Sequence, residues 1–286
     1  MELDVELGQR ALGKEARLSD WMRTYGSIAI GYSGGVDSAY LAAVAVATLG
    51  PENVLAIIGR SASYPESQWS AARAVADEIG LSILEVDTDE LNDPRYAANP
   101  TNRCYFCKTE LWSKLVPIAR ARGMAVVADG TNADDLGGHR PGARAAREHG
   151  VVSPLAMFEF SKDEIRHLSR ARGLPTWRQP SSPCLSSRIP YGTPVTVGRL
   201  KRVERAEAAL RDAGVVGDLR VRHFGDLARV ELSAMELARW SAPDRRPRLD
   251  AAVLSAGYQR VELDPRGFRS GSLNEAPVQS ATVSGD

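Results

Sequence analysis

Ser33-Gly34-Gly35-Val36-Asp37-Ser38 is the stretch that decides the fold of this chain. It follows the apolar run Ser27–Tyr32, which is typical of a buried strand, and leads into an alanine-rich segment, which is typical of a helix. The paired glycines let the backbone turn tightly between these two elements. Such a turn points several backbone N–H groups at one spot, with a helix N-terminus behind them, and so forms an anion site.

The side chains of the hexapeptide narrow the class of anion. Ser33 and Ser38 add hydroxyl donors, and the Asp37 carboxylate is suited to a metal ion bound to the same anion. The common P-loop needs Gly-Lys-Ser/Thr, whose lysine reaches the β- and γ-phosphates, and this loop has no lysine. Residues 33–38 resemble instead the PP-loop of the ATP pyrophosphatase superfamily, whose members bind pyrophosphate and cleave ATP to AMP. The other interpretation is an ordinary glycine turn before a core helix, and the coincidence of strand, hexapeptide and helix disfavours it.

Composition limits the remaining function classes. The chain has 286 residues, 43% of them hydrophobic and 25% charged, which is typical of one large or two modest globular domains. Its 36 basic and 36 acidic residues balance, so we expect no nucleic acid partner. No apolar run approaches the ~20 residues that span a bilayer, and the acidic start Met1–Glu6 does not resemble a signal peptide. We therefore expect a cytoplasmic protein without a membrane partner.

Apolar runs alternate with amphipathic segments through the first half of the chain. This order predicts an α/β fold with right-handed βαβ units and a parallel sheet. Ligands of such sheets bind beyond the carboxyl ends of the strands. The hexapeptide follows the first strand, and Asp129, Thr131 and Asn132 follow the fourth. We expect these three side chains to line the nucleotide pocket, although a polar turn is the other interpretation.

The character of the sequence changes after about Pro175. Residues 179–194 hold four prolines and four serines around Cys184 and are interpreted as a functional loop. A charged helix, a hairpin around Gly225-Asp226, a second helix and a strand then predict a small α+β unit. We predict a PP-loop domain over 1–180, the loop with a small α+β domain over 181–275, and a disordered tail over 276–286.

Three cysteines form the second set of candidate functional residues. Cys104 and Cys107 form a Cys-x-x-Cys at the start of a predicted helix, and Cys184 lies in the proline-rich loop. The helix start, Arg103 and Lys108 are expected to lower the pKa of the thiols. An odd count in a reducing compartment argues against structural disulfides. An iron–sulfur cluster, a zinc site with a histidine, a redox disulfide and a structural role all remain open.

Several further stretches identify a particular family. These are 183–192 (Pro-Cys-Leu-Ser-Ser-Arg-Ile-Pro-Tyr-Gly), 129–132 (Asp-Gly-Thr-Asn), 220–223 (Arg-Val-Arg-His) and 267–275 (Gly-Phe-Arg-Ser-Gly-Ser-Leu-Asn-Glu). Together with the PP-loop they resemble the LarE family of ATP-dependent sulfur transferases of nickel-pincer cofactor biosynthesis. The resemblance runs from about residue 10 to residue 275.

The resemblance implies a two-stage reaction and a set of cofactors. ATP with Mg²⁺ adenylates a carboxylate of a pyridinium-3,5-dicarboxylate mononucleotide, and sulfur then displaces AMP to give a thiocarboxylate. The family delivers sulfur by two routes. In one route Cys184 donates its own sulfur. In the other, Cys104, Cys107 and Cys184 hold a [4Fe-4S] cluster that carries an additional sulfide. Since this chain has the Cys-x-x-Cys, it resembles the cluster route, a multiple-turnover catalyst. The sulfide donor stays open, and the resemblance alone implies a homo-oligomer.

Residues of the second half have expected roles and open alternatives. Arg220 and Arg222 lie two apart on a predicted strand, so they share a face that suits a substrate phosphate. Arg188 is expected to hold substrate or to polarise the acyl-adenylate, with Ser187 and Glu231 in support. The other interpretation makes these residues solvated surface side chains.

Other functions remain as alternatives to sulfur transfer to a carboxylate. A tRNA thiolase of the same superfamily would need a basic groove. An ammonia-using amidating ligase would need no Cys-x-x-Cys, and a nucleotide-binding regulatory subunit would need no intact PP-loop.

Overall fold

The computed structural model describes residues 2–137, 141–180 and 183–269. The predicted tail 276–286 lies outside the described residues, as does part of the 267–275 motif. The chain divides into two compact units, Met1–Cys184 and Leu185–Asp286.

The first unit alternates helices and strands through most of its length. Its elements are α1 (Glu2–Tyr25), β1 (Ile28–Gly31), α2 (Val36–Leu49), β2 (Val54–Arg60), α3 (Glu66–Glu78), β3 (Ser82–Asp87), α4 (Pro94–Ala97), α5 (Arg103–Ala121), β4 (Val126–Asp129), α6 (Pro141–Glu148), α7 (Pro154–Met157) and α8 (Lys162–Ala171).

The four strands of this unit form one parallel sheet in the order β3-β2-β1-β4. The α/β prediction is therefore confirmed. Its core lies on both faces of the sheet, because helices cover both faces. β1 and β4 are almost wholly buried, whereas Ser82, Glu85 and Asp87 of the edge strand β3 are exposed. Neighbours β1 and β4 carry the hexapeptide and the 129–132 turn at their carboxyl ends, so the topology brings the two segments together.

The second unit is a small α+β fold. It contains α9 (Val197–Asp212), β5 (Leu219–Phe224), β6 (Leu227–Leu232), α10 (Ala234–Trp240), α11 (Arg246–Ser255) and β7 (Arg260–Leu263). The hairpin β5-β6 is antiparallel and β7 adds to it in parallel, giving a mixed three-stranded sheet over one apolar core. The predicted hairpin and final strand are present as expected.

The helices of the described residues include none that is long and apolar enough to cross a membrane.

Candidate active site

The hexapeptide forms a tight loop whose shape depends on glycine. Gly34 has a φ of 67°, and a Cβ at this position would lie 2.2 Å from the Cβ of Ala72 on α3. Only glycine combines this backbone conformation with so close an approach. The Ser33 and Ser38 hydroxyls lie 3.1 Å apart, and Ser38 Oγ also accepts from the Ser33 amide at 3.2 Å. These contacts join the two ends of the hexapeptide.

The first turn of α2 leaves its amide donors available to an anion. The N-cap residue is Gly35, which has no side chain to occupy them. The side chains of Tyr64 and Gln68 donate to the Ser33 carbonyl oxygen at 2.9 Å and 3.1 Å, so this acceptor is turned away from the anion position. The loop therefore presents donors, which is the polarity that pyrophosphate requires.

The turn after β4 packs directly against this loop. A Cβ on Gly130 would lie 2.9 Å from the Ser38 amide nitrogen, so the two backbones approach closely. Asn132 is buried and donates from Nδ2 to Asp37 Oδ1 at 3.1 Å, while Asp129 Oδ1 accepts from the Thr131 amide at 3.1 Å. The structure thus brings Asn132 to Asp37, and uses Asp129 to shape the turn.

A lysine that the sequence analysis missed also contacts Asp37. Lys162, the first residue of α8, donates from Nζ to Asp37 Oδ2. Its own amide donates to Asp134 Oδ2 at 2.7 Å. Ser161 and Glu164 form a capping box at the start of α8. The Ser-x-x-Glu pattern in the sequence predicts a helix N-terminus here. The PP-loop has no lysine of its own, and Lys162 reaches it from α8, which is distant in the sequence.

These elements enclose a cavity of about 550 Å³ in the first unit. Clefts of this size accept small-molecule ligands. The cationic side chains that line it, among the described residues, are Lys108, Lys162 and Arg166. Pro183, next to Cys184, is part of the same wall, so the cavity joins the PP-loop to the proline-rich segment.

All three cysteines belong to the first unit and influence one another. Desolvation raises the pKa of Cys107, and Cys184 and Cys104 raise it further. Desolvation also raises the pKa of Cys104, with Cys184 the next contributor. The expected lowering of the pKa by Arg103 and Lys108 is present but smaller, so the expectation of acidified thiols was wrong.

The donor set was tested for its fit to a metal group. The described residues hold no group of three His, Cys, Asp or Glu side chains placed around a single metal ion. The three thiols interact electrostatically, and thiolates are the ligands that iron–sulfur clusters use. The cluster itself stays a prediction.

Arginines of the second unit form a buried cluster. Arg188 pairs with Glu207 through two contacts, Nε to Oε1 at 2.9 Å and Nη2 to Oε2 at 3.0 Å. Arg222 pairs with Glu231, with Nη2 to Oε2 at 2.8 Å. Burial lowers the pKa of Arg220 to about 10, and the charges of Arg188 and Arg222 add to this.

The solvated interpretation of these residues was therefore wrong. Arg188, Arg220, Arg222 and Glu231 are each 5% exposed or less. Ser187 accepts from Arg188 Nη1 at 3.1 Å, and its carbonyl accepts from Arg222 Nη1 at 2.9 Å. Glu207 was missed, because on α9 it belongs to an ordinary charged helix pattern.

Comparison with known proteins defines the class first. A family model described as NAD synthase matches residues 16–111, which contain the PP-loop and the first three strands. The chain is also 30% identical over 155 residues to the NH(3)-dependent NAD(+) synthetase of Methanococcoides burtonii, covering 51% of this chain and 57% of that protein. With the parallel sheet and the loop geometry, these matches define an ATP-dependent PP-loop enzyme.

Relatives matched over nearly the whole chain define the family. One is the pyridinium-3,5-bisthiocarboxylic acid mononucleotide synthase of Lactiplantibacillus plantarum, 32% identical over 92% of this chain and 94% of that protein. Another is an uncharacterized protein of Synechocystis sp., 43% identical over 91% of this chain and 97% of that protein. The chain belongs to the LarE family.

Proposed function

We propose that this enzyme adenylates a carboxylate of a pyridinium-3,5-dicarboxylate mononucleotide and converts it to a thiocarboxylate, with sulfur delivered at Cys104, Cys107 and Cys184. A carboxylate oxygen attacks the α-phosphorus of ATP and pyrophosphate leaves. A sulfide then attacks the acyl carbon and AMP leaves with its bonding electrons. No oxidant is consumed, because sulfur keeps its oxidation state.

The PP-loop residues supply the activating half. The amides of the first turn of α2 and the hydroxyls of Ser33 and Ser38 hold the departing pyrophosphate. Lys162 adds a positive charge where negative charge accumulates on the leaving group. Mg²⁺, for which Asp37 is the candidate carboxylate ligand, supplies further charge neutralisation when bound. Asn132 keeps that carboxylate in one orientation.

The three cysteines supply the sulfur half. Cys104 and Cys107 lie one turn apart at the start of α5, and Cys184 would complete the ligand set. A [4Fe-4S] cluster held there would present an additional sulfide as the sulfur donor. Lys108 lines the nucleotide cavity and also influences both Cys104 and Cys107, so it favours anionic sulfur near the nucleotide.

The buried arginines suit recognition of the substrate phosphate. Arg188, Arg220 and Arg222 lie in one buried cluster with the carboxylates Glu207 and Glu231. Guanidinium groups bind a phosphate dianion through paired N–H donors, so three of them in one cluster suit this ligand.

A single observation carries this proposal: Pro183, next to Cys184, and Lys108, next to Cys107, line the same cavity as the PP-loop. The position of both cysteine segments beside this cavity supports activation and sulfur delivery at one site. An amidating ligase would have no use for three neighbouring thiols.

Anaerobic purification with iron and sulfide counting and a visible spectrum tests the proposal. We expect a brown protein with about four irons per chain. Cys184→Ser should lose the iron, whereas Ser233→Ala, a matched hydroxyl change in the second unit, should keep it. If iron-free protein transfers one sulfur and Cys184 loses the mass of H₂S, the sacrificial route replaces the cluster. Thiolated tRNA as product would overturn the proposed substrate.

A further inference from the structure

Arg166 links the nucleotide cavity to the segment that precedes Cys184. Its Nη1 donates to the Trp177 carbonyl at 2.6 Å and its Nη2 donates to the Gln179 carbonyl at 2.9 Å. Both bonds connect α8 to the chain that follows it and runs on towards Cys184. One guanidinium therefore fixes the path of that chain at two points.

The same guanidinium lines the cavity together with Lys162, one helical turn before it on α8. Residues four apart lie on one face of a helix, so both cations are directed to the same side. An arginine has five N–H donors, and within the described residues the two carbonyls use two of them. Three donors remain for an anion in the cavity.

The far wall of the cavity is the segment that Arg166 holds. Gln179, Pro180 and Pro183 all line it. Because these residues and both cations line one cavity, an anion seated between Lys162 and Arg166 would lie beside the chain leading to Cys184.

We propose that Arg166 is a positioning residue that couples occupancy of the pyrophosphate seat to ordering of the segment 174–180. The inference rests on the ATP-binding part of the proposed function. An anion that accepts from the remaining donors fixes the orientation of the Arg166 guanidinium. The hydrogen bonds from this group to the Trp177 and Gln179 carbonyls then restrict the motion of the segment. By linkage, an ordered segment binds the anion more tightly. Cys184 is then presented when the nucleotide site is filled.

Amide hydrogen exchange of the full-length protein, with and without inorganic pyrophosphate and Mg²⁺, tests this inference. In the wild type we expect pyrophosphate to slow exchange several-fold in peptides covering 33–42 and 174–180. At a pyrophosphate concentration that saturates the variant, Arg166→Gln should keep the slowing at 33–42 and lose it at 174–180. Arg170→Gln is the matched control, because Arg170 lies over the Trp177 ring at 5.0 Å yet makes no contact with the cavity wall.

The outcomes separate the inference from the proposed function. The coupling is overturned if exchange at 174–180 is still slowed in Arg166→Gln, or if Arg170→Gln loses that slowing to the same extent. It is also overturned if pyrophosphate does not slow exchange at 33–42 in the wild type. Should Arg166→Gln fail to fold, Arg166→Lys keeps the charge but lacks the planar fork of donors that reaches the carbonyls of Trp177 and Gln179 together, so it should show the same loss. An intact response in a protein that transfers no sulfur would overturn the proposed function alone.

Discussion

Lys162 and Asp37 form an ion pair between the first turn of α8 and the first turn of α2, although 125 positions separate them in sequence. Lys162 supplies a lysine, which the PP-loop itself lacks, and Asp37 is the carboxylate that we propose as a ligand of the metal ion. Each group neutralises the charge of the other. Binding of metal and nucleotide would give both groups new partners.

We predict that Lys162→Gln lowers the rate of ATP-dependent AMP formation by about 10²-fold, because one charge is removed from the site of the leaving group. Pyrophosphate exchange measures this step directly. Lys162→Arg should restore part of the rate. Lys201→Gln, an exposed lysine on α9, is the control and should match the wild type. Equal rates for Lys162→Gln and wild type would remove Lys162 from the activation step.

Gly34→Ala should abolish nucleotide binding and lower the free energy of unfolding. The new Cβ meets Ala72 at 2.2 Å and the φ of 67° disfavours any side chain, so the loop must move. We expect a cost of about 1–3 kcal/mol from strain alone. Gly13→Ala, with nothing within 4 Å of the new Cβ in α1, should instead be neutral or slightly stabilising. Calorimetric titration and denaturant unfolding measure the two effects, and wild-type ATP affinity in Gly34→Ala would contradict this account.

Glu207→Ala should destabilise the protein by about 3–5 kcal/mol, because it leaves buried Arg188 without its carboxylate partner. Glu207 also accepts from the Val221 amide at 3.0 Å, so the change exposes a second unmet donor on β5. Urea unfolding gives the difference. Asp212→Asn, an exposed change at the end of the same helix, should fall within about 0.5 kcal/mol of wild type. A Glu207→Ala cost as small as that would show that the arginine cluster needs no counter-charge.

The stability of the protein should fall as pH drops from about 6.5 towards 4. Burial lowers the pKa of His223 to about 4, with Arg199 and Arg202 adding to the effect. Its folded-state pKa lies below the unfolded value of 6.5, so the unfolded state binds more protons in this window. The pKa difference corresponds to about 3 kcal/mol of lost stability at the acid end.

His223→Gln is the variant that isolates this effect. It forgoes the 3.1 Å contact between His223 Nδ1 and the Tyr258 hydroxyl at every pH, so it is less stable near neutrality. Its stability should nevertheless decline less steeply than that of the wild type between pH 6.5 and 4. Parallel urea midpoints across this window would rule out His223 as the titrating group.

The sequence predicts the parallel sheet because each of its strands is an apolar run bounded by turn residues. It also predicts the PP-loop, because the residues that form this loop are consecutive in the sequence. α1 received no assignment, because its apolar stripe is narrow: its buried hydrophobic residues, where its side chains are described, are Ala11, Leu18 and Met22. α6, α8 and α10 received no assignment either.

The candidate site could be predicted only where its residues share a motif. Lys162, Arg166 and Glu207 reach their partners across long stretches of chain, and a lone cation or carboxylate on a helix gives no local signal. The burial of Arg188 and Arg222 was equally hidden, because alternating charges on a strand are usual at a surface. The roles of these residues, the oligomeric state and the cytoplasmic location stay predictions.

The contact between Gly34 and Ala72 extends the requirements of the loop to a helix that carries none of its motif. Position 72 must stay small for the loop to keep its shape, so a bulky residue there would deform the site without altering any ligand-binding group. Grafting the hexapeptide into another strand–helix junction would accordingly fail unless α3 were transplanted with it. An alignment that scored only residues 33–38 would also pass chains whose third helix cannot accommodate the turn.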